Sequence, residues 1–169
     1  MKKIVVFSLL LVFVLFCGCN KISSDVTAVT TGLSFTAEIE YVGFLSEYEV
    51  NITKDGSFDM TAIQPQSIKG MNIKLSDSKI KVDYNGLAYN TTLYELPQGI
   101  IVDFLYNAFS DIRLQEREVA KQNDEFFISG STEKYNYKMI LGASGLPIEL
   151  IDKSGIKVAI KNATVKQAE

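Results

Sequence analysis

Residues 100–112 read IIVDFLYNAFSDI, and this stretch decides the fold. Its apolar side chains recur three and four residues apart, which predicts a helix, and Pro97 suits the first turn of that helix. The polar side chains are confined to one narrow strip, made of Asp103, Asn107, Ser110 and Asp111. A helix that is apolar over most of its circumference is buried on most sides, so we expect the rest of the domain to surround it.

The segments on both sides of this helix alternate between apolar and polar residues. Residues 33–41, LSFTAEIEY, are the clearest example, and such alternation predicts a half-buried strand. Similar runs, separated by turn-forming pairs such as Asn85-Gly86, continue to residue 89 and resume between residues 126 and 160. Residues 113–123 suit either a solvated helix end or a short strand, and we favour a strand at Glu118–Lys121. The pattern therefore predicts about ten strands.

The relative sizes of sheet and helix determine the predicted shape. Ten strands at about 4.8 Å each span about 48 Å, whereas one helix is only about 10–12 Å across. A flat sheet would leave most of its apolar face in water. The sheet must therefore curve around the helix or pack on a second sheet, and a buried helix midway along the chain favours curvature. We predict an α+β fold, mainly antiparallel β, in which a single curved half-barrel sheet wraps around one main helix.

The composition excludes several kinds of chemistry. The chain of 169 residues has no histidine and two cysteines, so a Ser-His-Asp or Cys-His catalytic site cannot be built. Two cysteines supply at most half of the thiolates in a four-cysteine zinc site. The formal net charge of −3 and the absence of a Lys/Arg cluster argue against nucleic acid as a partner. We predict no metal, no cofactor and no catalytic activity.

The first residues have the layout of an export signal. A basic MKK head is followed by residues 4–16, which are apolar apart from Ser8, and then by Gly18-Cys19. This layout matches the charged, apolar and small-residue parts of a signal peptide. The apolar run is shorter than the roughly 20 residues that span a bilayer, and a retained signal anchor is the alternative. We predict a signal peptide over residues 1–18, so that the rest of the chain is exported.

Phe16-Cys17-Gly18-Cys19 resembles the lipobox of bacterial lipoproteins. The resemblance implies that Cys19 is acylated and becomes the mature N-terminus, and two or three acyl chains anchor a protein stably where one does not. It also implies that the domain lies at the extracytoplasmic face of the cell membrane. Residues 20–31 are polar with few bulky side chains, so we predict a lipidated tether over residues 19–32 and the folded domain over residues 33–165.

Two later segments carry a second resemblance. Residues 142–165, GASGLPIELIDKSGIKVAIKNATV, and residues 64–70, QPQSIKG, together with the predicted layout, resemble the LolA-like lipoprotein-carrier superfamily. Its members wrap a curved antiparallel sheet around a helical plug. The resemblance implies an anchored protein that binds a lipid or another apolar ligand on its concave face. The alternative that it implies is a non-catalytic scaffold that binds or activates an extracellular or cell-wall enzyme, including enzymes of spore germination.

The concave face and the helix supply the candidate ligand groove. Small-molecule sites are usually apolar concavities of this kind, although the same side chains could simply fill the core, as they do in small barrels. The candidate groove residues are Phe35, Ile39, Val50, Ile101, Phe104 and Leu105.

The first predicted hairpin carries two further candidate features. If Tyr41 faces Tyr48, Phe44 and Leu45 form an apolar tip that could contact the bilayer or a partner, or could fold under a neighbouring loop. The same register places Glu40 opposite Glu49, although like charges directly opposed are unfavourable. Such a pair could serve as catalytic carboxylates, a cation site or a docking patch, and the alternative is a solvated outer face.

Overall fold

A computed structural model of the protein describes residues 27–96 and 100–166, and within these ranges the chain forms eleven strands and one helix. The strands before the helix are β1 (Leu33–Tyr41), β2 (Phe44–Ile52), β3 (Phe58–Gln64), β4 (Asn72–Ser76), β5 (Lys79–Tyr84) and β6 (Leu87–Thr92). The helix is α1 (Ile101–Leu114). The strands after it are β7 (Ala120–Gln122), β8 (Glu125–Ser131), β9 (Asn136–Leu141), β10 (Pro147–Asp152) and β11 (Lys157–Val165).

All eleven strands belong to one antiparallel sheet in the order β6-β5-β4-β3-β2-β1-β11-β10-β9-β8-β7. Two meanders, β1–β6 and β7–β11, therefore meet at the central pair β1 and β11. The predicted curved antiparallel sheet with one main helix is confirmed, and the ambiguous segment contains the short strand β7. The described sheet has one strand more than the predicted number of about ten.

Aromatic side chains hold α1 against the concave face of the sheet. The Phe109 ring stacks on Phe35 of β1 at 5.9 Å between centroids and meets Phe58 of β3 edge-on at 6.0 Å. Phe104 packs against Tyr135, the residue before β9, at 5.1 Å. The helix is thereby fixed to both meanders, as its mostly apolar circumference predicts.

Tight turns set the register of the hairpins. In four of them both turn residues have positive φ, which is the pattern of type I′ turns. These turns are Val42-Gly43, Asp77-Ser78, Asn85-Gly86 and Asn123-Asp124. The tip of the first hairpin is thus Val42-Gly43, and Phe44 and Leu45 begin β2 rather than form the turn. The sequence did not indicate this turn because a β-branched residue at positive φ is rare.

The shorter turn changes the pairing of the glutamates. The observed register places Glu40 opposite Leu45 and Glu49 opposite Thr36, so the predicted Glu40/Glu49 pair is wrong. Glu38 faces Glu47 instead. The Lys161 ammonium donates a hydrogen bond to the Glu38 carboxylate, which places a cation beside this pair of like charges.

The residues before β1 lie against the domain. The Val29 N–H donates to the Gly145 carbonyl at 3.0 Å, and the Ala28 and Val29 side chains pack on the core. Residues 27–32 of the predicted tether thus contact the domain. The predicted signal peptide and the lipid-attachment residue Cys19 lie outside the described residues. Among the described residues, no helix has the length and apolar character needed to cross a membrane.

Candidate functional site

The residues predicted to line a groove lie in the core. Phe35, Ile39, Val50, Phe104 and Leu105 are each no more than 4% exposed, and Ile101 is half-buried. Their side chains fill the space between the helix and the central strands. Ligand binding by these six residues stays a prediction, and the apolar surface that solvent can reach lies elsewhere on the same face.

Exposure of the concave face increases toward the β6 edge. One row of directly paired residues runs from Phe35 through Val50 and Met60 to Ile73, Val82 and Tyr89. The first three are buried, Ile73 and Val82 are half-buried, and Tyr89 is 64% exposed. Side chains in one such row point to the same side of the sheet. In this row the cover over the concave face therefore ends after β3, whereas the row of Phe58, Leu75, Ile80 and Thr91 stays buried as far as β6.

A neighbouring row shows the same trend. Tyr84 is half-buried and pairs with Leu87, which is 76% exposed. We call the five apolar residues at this end of the concave face the open face. It consists of Ile73, Val82, Tyr84, Leu87 and Tyr89.

The open face is apolar, and the hydroxyl of its half-buried tyrosine, Tyr84, already has a hydrogen-bond partner. The Tyr84 hydroxyl donates to the Ser67 carbonyl at 2.6 Å, so its ring is fixed and its polar end is satisfied. The charged residues of β5 fall on the opposite side of the strand: Lys81 and Asp83 form an ion pair at 2.9 Å. An apolar surface of this kind commonly marks a ligand or partner site.

The alternation of the sequence placed these five residues on the concave side, yet it did not indicate that they are uncovered. The ring contacts of α1 reach β1 and β3 on this half of the sheet. The distance to which one helix covers a sheet depends on its crossing direction, which periodicity does not encode. The feature of the sequence that could have indicated the uncovered surface is the position of β6 as the last strand of the first meander.

The first hairpin presents a second exposed apolar surface. Phe44 is 79% and Leu45 is 66% exposed, and the turn residue Val42 is exposed as well. Of the two alternatives left open by the sequence, an exposed tip and a tip folded under a neighbouring loop, these exposures favour the first. Contact of the tip with a bilayer or a partner stays a prediction.

A buried carboxylate organises the N-terminal half of the helix. Asp103 is fully buried and accepts hydrogen bonds from the Tyr135 hydroxyl at 2.7 Å and from the Lys134 ammonium at 3.1 Å. Asn107, one turn later, donates to the same carboxylate at 2.9 Å. The Lys134 ammonium also donates to the Leu93 carbonyl at 3.3 Å. The polar strip of the helix thus faces protein partners on the second meander.

A second carboxylate fixes the C-terminal half of the helix. Asp111 accepts two hydrogen bonds from the Arg117 guanidinium, each at 3.0 Å, and one from the Tyr137 hydroxyl at 2.6 Å. Gly130 leaves the space for this phenol, because a Cβ atom there would lie 2.3 Å from the Tyr137 hydroxyl oxygen. The two acids therefore fix α1 to the second meander at both of its ends.

The Asp111 cluster shifts the ionisation of its members. Burial, followed by the hydrogen bond to Asp111, raises the pKa of Tyr137. Burial opposes ionisation of Asp111, but the hydrogen bonds from Arg117 and Tyr137 outweigh it and hold the pKa of Asp111 below its ordinary value. Asp111 is thus ionised at neutral pH and acts as the acceptor that joins both partners.

We expect the Asp111 cluster to make the protein acid-sensitive. A carboxyl whose folded-state pKa is depressed stabilises the fold above its unfolded pKa of about 4, and this stability is lost as pH falls through the folded pKa. The Asp111→Asn variant should therefore lose less stability than the wild type below about pH 4. Urea unfolding at a series of pH values measures this difference, and parallel acid limbs for the two proteins would contradict the expectation.

Across residues 27–96 and 100–166, no three Cys, Asp or Glu side chains gather closely enough to hold a metal ion. The Asp103 and Asp111 carboxylates instead accept hydrogen bonds from lysine, arginine, asparagine and tyrosine donors. The exposed part of the concave face is apolar, so any binding there depends on apolar contact and shape.

The fold of this chain is similar to that of several solved structures. The chain is similar to a LolA superfamily protein from Nitrosomonas europaea, with 11% identity, TM-score 0.51 and coverage of 87% of this chain and 91% of that chain. It is also similar to an uncharacterized conserved protein from Thermus thermophilus, with 9% identity, TM-score 0.51 and coverage of 83% and 82%. No model of a protein family matches the chain, and no curated protein matches it in sequence. The domain therefore has the LolA-like fold, and at these identities the similarity extends to the fold alone.

Proposed function

We propose that the protein is an exported, membrane-anchored lipoprotein whose open face binds a lipid acyl chain or a similar apolar ligand, without catalysis. The single observation that carries this proposal is the uncovered part of the concave sheet at Ile73, Val82, Tyr84, Leu87 and Tyr89. Half-buried apolar side chains beside fully exposed ones form a surface that gains free energy when an apolar ligand excludes water from it. The LolA-like fold of the domain supports this choice of ligand class.

The location of the open face refines the ligand site predicted from sequence. Phe104 and Leu105 are packed in the core, so a ligand at their positions would have to displace packed side chains. A ligand on the open face would instead cover the exposed end of the row, where it would lie against Ile73 and Val82 and reach Tyr89. The lack of charged side chains on this surface favours a hydrocarbon chain over an ionic group.

We expect the Leu87→Asp variant to bind a fluorescent long-chain fatty acid at least tenfold more weakly than the wild type. A carboxylate at this site would have to lose water when the acyl chain covers it, and burying an unpaired charge is costly. Titration of the detergent-purified chain with the probe, corrected for detergent partitioning, measures the change.

The matched control is Leu114→Asp. Leu114 is 68% exposed but lies at the C-terminal end of α1, away from the open face. This variant should bind the probe as the wild type does. Equal weakening in both variants would show a non-specific effect, and no weakening in Leu87→Asp would refute the proposed site.

We expect Cys19 to carry the lipid anchor. Labelling of growing cells with a radioactive fatty acid should mark the wild type and the Cys17→Ala variant equally, whereas the Cys19→Ala variant should lose the label. The reason is that the anchor needs the one cysteine that becomes the mature N-terminus. Retention of label in the Cys19→Ala variant would refute the anchor while leaving ligand binding by the domain untouched.

A second candidate function is favoured by the exposed hairpin tip. Val42, Phe44 and Leu45 are exposed apolar residues at this tip, with Phe44 and Leu45 on opposite sides of the sheet. An apolar tip of this kind suits an anchored scaffold that binds or activates an envelope enzyme. The two candidates differ in what copurifies with the full chain from membranes. A bound lipid supports ligand binding, and one enzyme in equal amount supports the scaffold.

A further inference from the structure

We propose that two copies of the chain associate through their β6 strands and form one continuous antiparallel sheet. β6 is an edge strand, since among the described residues it pairs with β5 alone. Edge strands present unpaired backbone groups that can bind another strand, and proteins usually protect them. This inference rests on the backbone edge of β6, whereas ligand binding rests on side chains of the concave face. The inference does not depend on ligand binding.

The two edges of the sheet differ in protection. β7, at one edge, has only three residues and includes Lys121, both of which discourage pairing. β6, at the other edge, has six residues, LAYNTT, with no charge and no proline. Leu87 and Tyr89 on this strand are also exposed. The unprotected edge is therefore β6.

The free backbone groups of β6 can be assigned from its hairpin. The two-residue turn Asn85-Gly86 makes Tyr84 and Leu87 a hydrogen-bonded pair. Because the direction of these bonds alternates along an antiparallel strand, Leu87, Tyr89 and Thr91 bond toward β5, while Ala88, Asn90 and Thr92 point outward. The Leu93 N–H donates inward to the Ser78 carbonyl at 3.0 Å, which agrees with this alternation.

The free part of the edge is symmetric about Tyr89. At one end it stops at the turn residue Gly86. At the other end the outward N–H of Thr92 donates to the Glu95 carboxylate at 3.1 Å, which occupies that group. Gly86 and Thr92 both lie three residues from Tyr89, so the edge left open is centred on this residue.

This symmetry fits a second copy of the same strand. In a two-fold pairing centred on Tyr89, Ala88 lies opposite Asn90 of the second copy, and the reverse holds on the other side. Each pair exchanges two backbone hydrogen bonds, so all the outward groups of Ala88 and Asn90 are satisfied. The two Tyr89 residues then face each other as a non-hydrogen-bonded pair, with Cα atoms about 4.5 Å apart.

The charges beside the edge permit like strands to approach. The Lys81 ammonium is bound to the Asp83 carboxylate of the same strand at 2.9 Å. The other charge on this side of β5 is Lys79, which lies opposite Thr92 at the end of the edge and not opposite its centre. On the concave side, two exposed tyrosine rings would meet, and cross-strand aromatic pairs stabilise antiparallel sheets. A second copy therefore brings matching backbone groups and aromatic contact.

Disulfide formation tests the register directly. In the full chain with Cys17→Ala and Cys19→Ser, a Tyr89→Cys substitution should give a dimer on mild oxidation in detergent, because Cα atoms about 4.5 Å apart lie within disulfide range. Leu87→Cys in the same background is the control. It faces position 91 of the second copy, so at least tenfold less disulfide dimer should form. Failure of Tyr89→Cys to crosslink, or equal crosslinking by both variants, would overturn the proposal.

A charge on the edge tests the association independently. We expect Ala88→Lys to sediment as a monomer, with at least tenfold weaker self-association than the wild type, because lysine on an edge strand opposes pairing. Ala120→Lys on β7 should leave the dimer intact. Thermal unfolding checks that both variants fold. A wild type that sediments as a monomer, including one with a foreign peptide bound along β6, would overturn the proposal.

Discussion

The Asp103→Ala variant is expected to lose about 2–4 kcal/mol of unfolding free energy, because the buried Tyr135 hydroxyl and the partly exposed Lys134 ammonium each lose a hydrogen-bond acceptor. Lys134 and Tyr135 share this carboxylate as an acceptor, at 3.1 and 2.7 Å. They come from the second meander, so the substitution also loosens the helix from that half of the sheet. Urea unfolding followed by circular dichroism measures the loss.

Two further variants separate charge from shape. Asp103→Asn keeps an acceptor oxygen for Tyr135 and should lose less stability than Asp103→Ala. The double variant Asp103→Leu/Lys134→Met removes both charges and should recover part of the loss, since apolar replacements of buried ion pairs are often tolerated. A loss below about 1 kcal/mol in Asp103→Ala would mean that the carboxylate contributes no more than an ordinary hydrogen bond.

The Phe104→Ala variant is expected to lose about 3–5 kcal/mol of unfolding free energy, the usual cost of truncating a buried aromatic side chain. Phe104 is fully buried and packs on Tyr135 at 5.1 Å. Leu87→Ala on the open face is the matched control. It should change stability by less than about 0.5 kcal/mol, because surface substitutions remove little packing.

This pair of variants also separates core from ligand site. If Phe104 belongs to the core, its truncation should destabilise the domain whether or not ligand is present. If it lined an open groove, truncation should leave stability nearly unchanged and weaken fatty-acid binding. Leu87→Ala should show the second pattern. Equal stability loss in the two variants would contradict the distinction between core and open face.

The architecture was predictable from the sequence because it rests on periodicity. The alternation in LSFTAEIEY and the helical spacing in IIVDFLYNAFSDI each show which apolar side chains lie on the same face of the strand or helix. The width of the sheet relative to one helix then requires curvature. These inferences need only local pattern and average dimensions, and the structure confirms them.

The details that position the site depend on contacts that local pattern does not encode. The sequence places Asp103 in the narrow polar strip of the helix but does not identify its partner Lys134, which lies 31 residues away. The turn at Val42-Gly43 lacks the usual asparagine, so the register of the first hairpin was misplaced together with Glu40 and Glu49. The open face follows from where α1 stops covering the sheet, which depends on these same long-range contacts.

The central pairing of β1 with β11 has a consequence for how the domain folds. Each meander consists of hairpins between neighbouring segments, which need only short loop closures. Joining them brings Ala37 beside Ile160. Closing the long chain segment between these two residues costs more conformational entropy than closing a hairpin. The two halves can therefore acquire structure early, while their union is the slow step. Until it occurs, the inner edges of both halves are unpaired.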